Sequence, residues 1–219
     1  MARPRESHGS RTESNENRTL HKFVVGPERI SVVNSDMTRR AEAIAEYVQK
    51  HVRTECTQDR TESVTQFTDR LEKAFALLPD EVLESFLRDA RLLSVKIMRG
   101  RSLPLGMQTR PEGTHDARSY TVILYEEHLQ WPDDVFIGAF LRELAHVIAE
   151  RPPETEWPAS RGERARFKER LECRADATVW KWGLKDYSVG YITAIYPKHW
   201  ADAILNQIDK MLLEEEGQT

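Results

Sequence analysis

The residues best placed to do chemistry are Arg142, Glu143 and His146, in the run Phe140-Leu141-Arg142-Glu143-Leu144-Ala145-His146-Val147-Ile148. Positions three and four apart are neighbours on a helix, so Arg142 and His146 would share one side and Glu143 would lie on a neighbouring part of that face. A single letter separates the run from H-E-x-x-H. In that motif two histidines four residues apart grip one Zn²⁺, and the glutamate between them is the general base. Here Glu143 and His146 stand in place, but the first histidine is Arg142. A guanidinium stays protonated at any working pH and offers no lone pair to a metal. Taken alone, such a run also fits an ordinary helix with a salt-bridged arginine and a half-buried histidine.

A second constellation follows in Leu171-Glu172-Cys173-Arg174-Ala175-Asp176. Glu172 and Asp176 are four apart, so on a helix they share a face. Placed against the first helix, Glu172 could ligate a metal, and Asp176 could hold the ring N–H of a histidine. In isolation the pair reads equally well as a solvated acidic face beside Arg170 and Arg174.

Together the two runs resemble the minimal zinc peptidases of the gluzincin type, in which H-E-x-x-H is followed by a helix carrying a glutamate ligand and an aspartate. The resemblance covers about residues 80–185, and its most specific pieces are Glu143-Leu144-Ala145-His146 and Glu172 with Ala175-Asp176. It implies an α+β fold with a zincin-like core, a small β-sheet packed on the motif helix, and additional N- and C-terminal helices. By the same resemblance Glu143 matches the general base, His146 and Glu172 match zinc ligands, and Asp176 matches the outer carboxylate. Zinc is the only cofactor it implies. The strand Tyr120–Tyr125 falls where that family places the sheet edge that pairs with peptide substrate. Two residues depart from the pattern: Arg142 occupies the first ligand's position, and Leu171 replaces an asparagine often found before the ligand glutamate.

Arg142 changes the chemistry that this implies. It removes one of the three protein ligands a catalytic zinc needs and adds repulsion beside the ion. It could instead donate hydrogen bonds to Glu172 or Asp176, neutralising carboxylates that a metal would otherwise neutralise. The leading expectation is therefore a pseudo-peptidase acting by binding or scaffolding. An active metallopeptidase using His146, Glu172 and a third ligand from elsewhere (His128, His199 or Cys173) is the alternative. In a third reading the near-motif is coincidental and the chain is a helical interaction protein. A shared pocket requires His146 and Glu172 to lie within about 10 Å, since zinc ligands sit near 2 Å from the ion. Tyr196, His199 and Trp200 could in principle stabilise an oxyanion, though such residues more often pack a helix.

Several elements must position these groups. Residues 1–22 hold too few large apolar side chains to offset ordering entropy and read as a disordered tail. Phe23–Val25 is β-like and Ile30–Val33 reads as extended, before a helix capped by Ser35-Asp36. Residues 51–62 look like a polar linker, and a helix over roughly 62–77 carries Val64, Phe67, Leu71, Phe75 and Leu78 on one stripe. Pro79-Asp80-Glu81 opens another helix. Leu93–Ile97 and Tyr120–Tyr125 read as strands, with 99–118 a loop between them. Pro132-Asp133-Asp134 starts the motif helix, which Pro152-Pro153 ends. A long helix over 161–182 follows, closing at Gly183, then a mixed stretch over 184–197 and a final amphipathic helix. The domain expectation is a tail at 1–22, an N-terminal helical region at 23–90, and the zincin-like domain at 91–219.

Composition narrows the setting. The chain has 219 residues, 31% of them charged, with a formal net charge of -4. Neither nucleic acid nor anionic membrane is indicated by that balance, and no run of about 18 apolar residues exists to span a bilayer. Two cysteines, Cys56 and Cys173, make no disulfide framework, which points to a reducing, cytoplasmic setting. A protein or peptide is the expected partner.

Overall fold

The structure, a computed structural model, describes residues 27–54, 61–89, 93–98, 106–112 and 119–217. The chain divides into two units, residues 1–36 and 37–219, and the packing described below lies within the second. The helices are α1 (Pro27–His51), α2 (Thr61–Leu77), α3 (Asp80–Arg88), α4 (Asp133–Ile148), α5 (Arg161–Lys181), α6 (Lys185–Ile195) and α7 (Lys198–Glu216). The strands are β1 (Val52–Thr54), β2 (Leu93–Met98), β3 (Gln108–Glu112) and β4 (Ser119–Tyr125). The fold is mixed α+β, mostly helical, with one small four-stranded sheet.

The sheet order is β1-β2-β4-β3, parallel from β1 to β4 and antiparallel between β4 and β3. Register places Val95, Val122 and Thr109 side by side across three strands, so their side chains share a face. That face meets α4, because Thr109 reaches Glu143. Beneath it lies a core in which Phe67, Leu71 and Phe75 of α2 meet Phe136 and Phe140 of α4. The α2 stripe read from the sequence is thus the face that is buried.

α4 is enclosed along its length: every residue from Val135 to Val147 is buried. A helix surrounded on all sides cannot leave a charge unpaired, which bears directly on Arg142, Glu143 and His146. One crossing is set by Gly138. A β-carbon there would come within 2.2 Å of the Tyr187 carbonyl oxygen, so only glycine lets α4 and α6 approach this closely. That approach brings Ser188 and Tyr191 of α6 alongside the α4 motif.

Five expectations need correction. Ile30–Val33 is helical, not extended, since α1 begins at Pro27. β-branched residues cost only a few tenths of a kcal/mol more than good formers in a helix, too little to interrupt one. The polar stretch 51–62 contains β1, whose three residues pair with Val95–Ile97. The stretch 99–118 contains β3, which is the edge strand, so Tyr120–Tyr125 is interior to the sheet. β3 is polar and holds Pro111, a composition that edge strands tolerate and that hides the alternation of a half-buried strand. The mixed stretch 184–197 is largely α6, whose Tyr, Val, Thr and Gly residues are weak helix formers held by packing on α4. The segments 1–22 and Phe23–Val25 lie outside the described residues.

His128 sits in a short 3-10 turn after β4 and is fully buried. Its Nδ1 accepts the Tyr125 backbone N–H at 3.1 Å, so the ring proton sits on Nε2, a buried atom without a hydrogen-bond partner among the described residues. Burial drives the imidazole down to about 4, against the opposing pull of Glu127. A folded-state value below the unfolded one contributes stability above about pH 6.5, and that contribution is lost as pH falls toward 4. Denaturant unfolding between pH 7 and pH 4.5 should therefore show a loss of about 2 kcal/mol from this group. His128→Asn, which keeps an acceptor for the Tyr125 N–H, should flatten that slope; an unchanged slope would show that another group sets it. Among the described residues no helix is long and apolar enough to cross a membrane.

Candidate functional site

Helix periodicity puts Arg142 and His146 one turn apart on α4, facing Glu172 and Asp176, which are one turn apart on α5. The two helices join the side chains into one cluster. Arg142 Nη2 lies 2.7 Å from Glu172 Oε2, and its Nε donates to Asp176 Oδ2 at 3.1 Å. His146 Nε2 lies 3.0 Å from the same Glu172 oxygen. The shared-pocket requirement of about 10 Å is met with room to spare.

Burial makes these contacts obligatory. Arg142 is 8% exposed, His146 1% and Asp176 1%. Solvation lost by each group must be replaced by a partner within the cluster. Burial alone would disfavour the Arg142 cation, but Asp176 and Glu172 override it and hold the guanidinium charged. Burial likewise works against the Glu172 carboxylate. Arg142, the His146 hydrogen bond and Arg151 overcome it and hold that carboxyl well below the usual range. For Asp176 burial prevails and pushes the carboxyl up, against Arg142 and a 3.0 Å hydrogen bond from Ser188 Oγ.

Four members of the cluster were not singled out from the sequence. Arg151 is the most consequential. α4 ends with Glu150 in the left-handed region (φ 52), and the Arg151 N–H returns to the His146 carbonyl at 2.9 Å while the Glu150 N–H bonds Val147. This is the Schellman arrangement, here with glutamate at the position that usually takes glycine. It turns the chain back so that Arg151 Nη1 reaches Glu172 Oε1 at 3.2 Å and His146 Nε2 at 3.1 Å. The Arg151 guanidinium also stacks over Trp157, 5.5 Å from the ring centre. Ser188 and Tyr191 come from α6, with Arg142 lying 5.7 Å from the Tyr191 ring centre. Thr109 of β3 donates to Glu143 Oε2 at 2.6 Å, tying the edge strand to the motif helix. The helix-capping pattern before Pro152-Pro153 could have flagged Arg151. Nothing local flags Thr109, Ser188 or Tyr191.

Glu143 is on the same helix but does not join the Glu172–Asp176 side; its recorded partner is Thr109. Among the described residues, none of the suggested substitute ligands forms a hydrogen bond or ion pair with the cluster. His128 bonds to Tyr125 in the turn after β4. His199 packs against Trp200 at the start of α7, and Trp200 is largely exposed. Cys173 is buried beside Glu172 in sequence, and burial pushes its thiol up to about 11, away from the thiolate a metal needs.

The residues present do not fit a catalytic zinc. His146 Nε2, the atom that would ligate, is enclosed by Arg151 and Glu172. Both Glu172 oxygens are engaged by cations, and Arg142 brings a fixed positive charge against that carboxylate. Among the described residues no three His, Cys, Asp or Glu side chains converge in a metal-holding group. No protein-family model matches the chain, and no curated protein or solved structure matches it either.

Proposed function

We propose that the protein is a zincin-like pseudo-peptidase, in which two guanidinium groups hold together the helix pair that a metal would otherwise bridge, and that it works by binding a protein or peptide. The observation that carries this reading is the placement of Arg142. Its side chain starts from the position of the missing ligand and ends on both Glu172 and Asp176. Arg142 and Arg151 together bring two positive charges against the two carboxylates, the same charge a divalent cation would bring. Hydrogen bonds in fixed fork geometry replace coordination bonds. Hydrolysis is not required by such an arrangement, and geometry is preserved without it.

The edge strand supports the binding half of the reading. Among the described residues β3 is paired only with β4, so an extended segment of a partner could add to its outer side. Thr109 would couple that strand to Glu143 in α4.

Zinc titration of the purified chain tests the proposal. Equilibrium dialysis against micromolar zinc, followed by elemental analysis, should find far less than one equivalent retained. One tightly held equivalent, lost in His146→Ala, would establish the metallopeptidase alternative instead.

A further inference from the structure

A second candidate site shares no residue with the Arg142 cluster. Where α1 ends and β1 begins, a cavity of about 300 Å³ is lined by Lys50, His51, Arg53, Leu93, Ser94, Ser119 and Tyr120. It opens beside the first residues of β2 and β4, both parallel to β1. Three basic side chains thus fall within four consecutive positions, and no acidic residue is among the described lining residues.

Partnering separates these cations from most of their neighbours. Arg40 pairs with Asp80, Arg70 and Lys73 with Asp133, and Arg88 with Glu84. The Lys50 and Arg53 side chains have no ion-pair or hydrogen-bond partner among the described residues, and both residues are exposed where they line the cavity. Two cations lining one cavity give it a positive potential, which an anion bound there would neutralise. His51 is less free to move. Its Nδ1–H donates to the Tyr47 carbonyl at 2.7 Å and its ring stacks on Tyr47.

The hydroxyls differ in what they can offer. Thr121 spends its proton on Glu112 at 2.8 Å, so Ser94 must donate to Thr121, and its own proton is unavailable to a ligand. The Ser119 hydroxyl has no hydrogen-bond partner among the described residues and can donate. The donors are therefore Lys50, Arg53 and Ser119 at the mouth. Leu93 and Tyr120, both buried, supply an apolar wall. A mouth of cations over an apolar, aromatic wall suits a ligand with a charged end and an uncharged body.

From these observations we infer that the cavity between α1 and the β2–β4 strand starts binds a phosphate-bearing small molecule, its phosphate held by Lys50, Arg53 and Ser119. Free phosphate and a phosphomonoester share this chemistry, and the test separates them. Calorimetric titration of the full chain at low ionic strength uses inorganic phosphate, adenosine 5′-monophosphate and adenosine as probes. Either phosphate-containing probe should bind and adenosine should not. Tighter binding of the nucleotide assigns the site to a phosphomonoester, and equal affinities assign it to the free anion. Lys50→Gln combined with Arg53→Gln should weaken binding by about tenfold or more while leaving the thermal midpoint unchanged, since both residues are exposed. Affinity unaltered in that variant, adenosine binding as tightly as its phosphate, or no heat from any probe with the wild-type chain would overturn the assignment.

Discussion

Arg142→Ala should lower the unfolding free energy by about 3–5 kcal/mol, the usual consequence of removing one partner from a buried charge cluster. Two carboxylates depend on that guanidinium. Glu172 retains Arg151, but Asp176 would be left with the Ser188 hydroxyl as its recorded partner. The loss should be partly reversed by adding Asp176→Asn, because the buried charge that needs a partner is then gone. A double-mutant cycle between positions 142 and 176 should give a coupling of about 1 kcal/mol or more. pH supplies an independent check. Without the arginine the folded-state carboxyls shift upward, so protonation favours the folded variant as pH falls. In the wild type the depressed Glu172 value works in the opposite sense, its stability being lost as pH falls below the ordinary carboxylate range. The gap between the two proteins should therefore narrow toward acid, with His128 cancelling because both contain it. Urea unfolding followed by circular dichroism measures all of this. A loss under about 1 kcal/mol at pH 7 would mean the guanidinium is not what holds the two helices.

Restoring a histidine at position 142 tests the same pocket from the other side. Arg142→His alone should take up zinc weakly, because Arg151 still encloses His146 Nε2 and bonds Glu172. Arg142→His combined with Arg151→Gln should retain one equivalent. At a free zinc concentration of about 100 times Kd the added stability is about 2.7 kcal/mol. That is a rise in Tm of roughly 5–10 °C for a unit of this size, reversed by chelator. A folded double variant with no zinc uptake would show that the pocket is not built to ligand geometry. A difference between single and double variants would identify Arg151 as the second stand-in charge, a role visible only in three dimensions.

Much of the frame was legible beforehand. The stripe Phe67, Leu71 and Phe75 is buried as its helical spacing implied, and β2 and β4 fall within a residue of their expected bounds. The α4 and α5 limits follow from Pro132, Pro152-Pro153 and Gly183, residues whose backbone restrictions act locally. β3 escaped because edge strands need neither alternation nor β-branched residues, only one neighbour. α6 escaped because its helicity comes from the Gly138 crossing with α4 rather than from its own residues.

The same division runs through the candidate site. Local spacing alone put Arg142, Glu143 and His146 on one helix and Glu172 with Asp176 on another, because a period of 3.6 residues requires no tertiary information. Whether Arg142 faced water or the carboxylates was a matter of helix packing, and only the folded chain decided it. Arg151, Ser188 and Thr109 arrive from a helix end, another helix and a strand edge. Their convergence depends on a left-handed Glu150, a glycine-sized crossing and sheet register. Those are long-range facts, and no short window of residues encodes them.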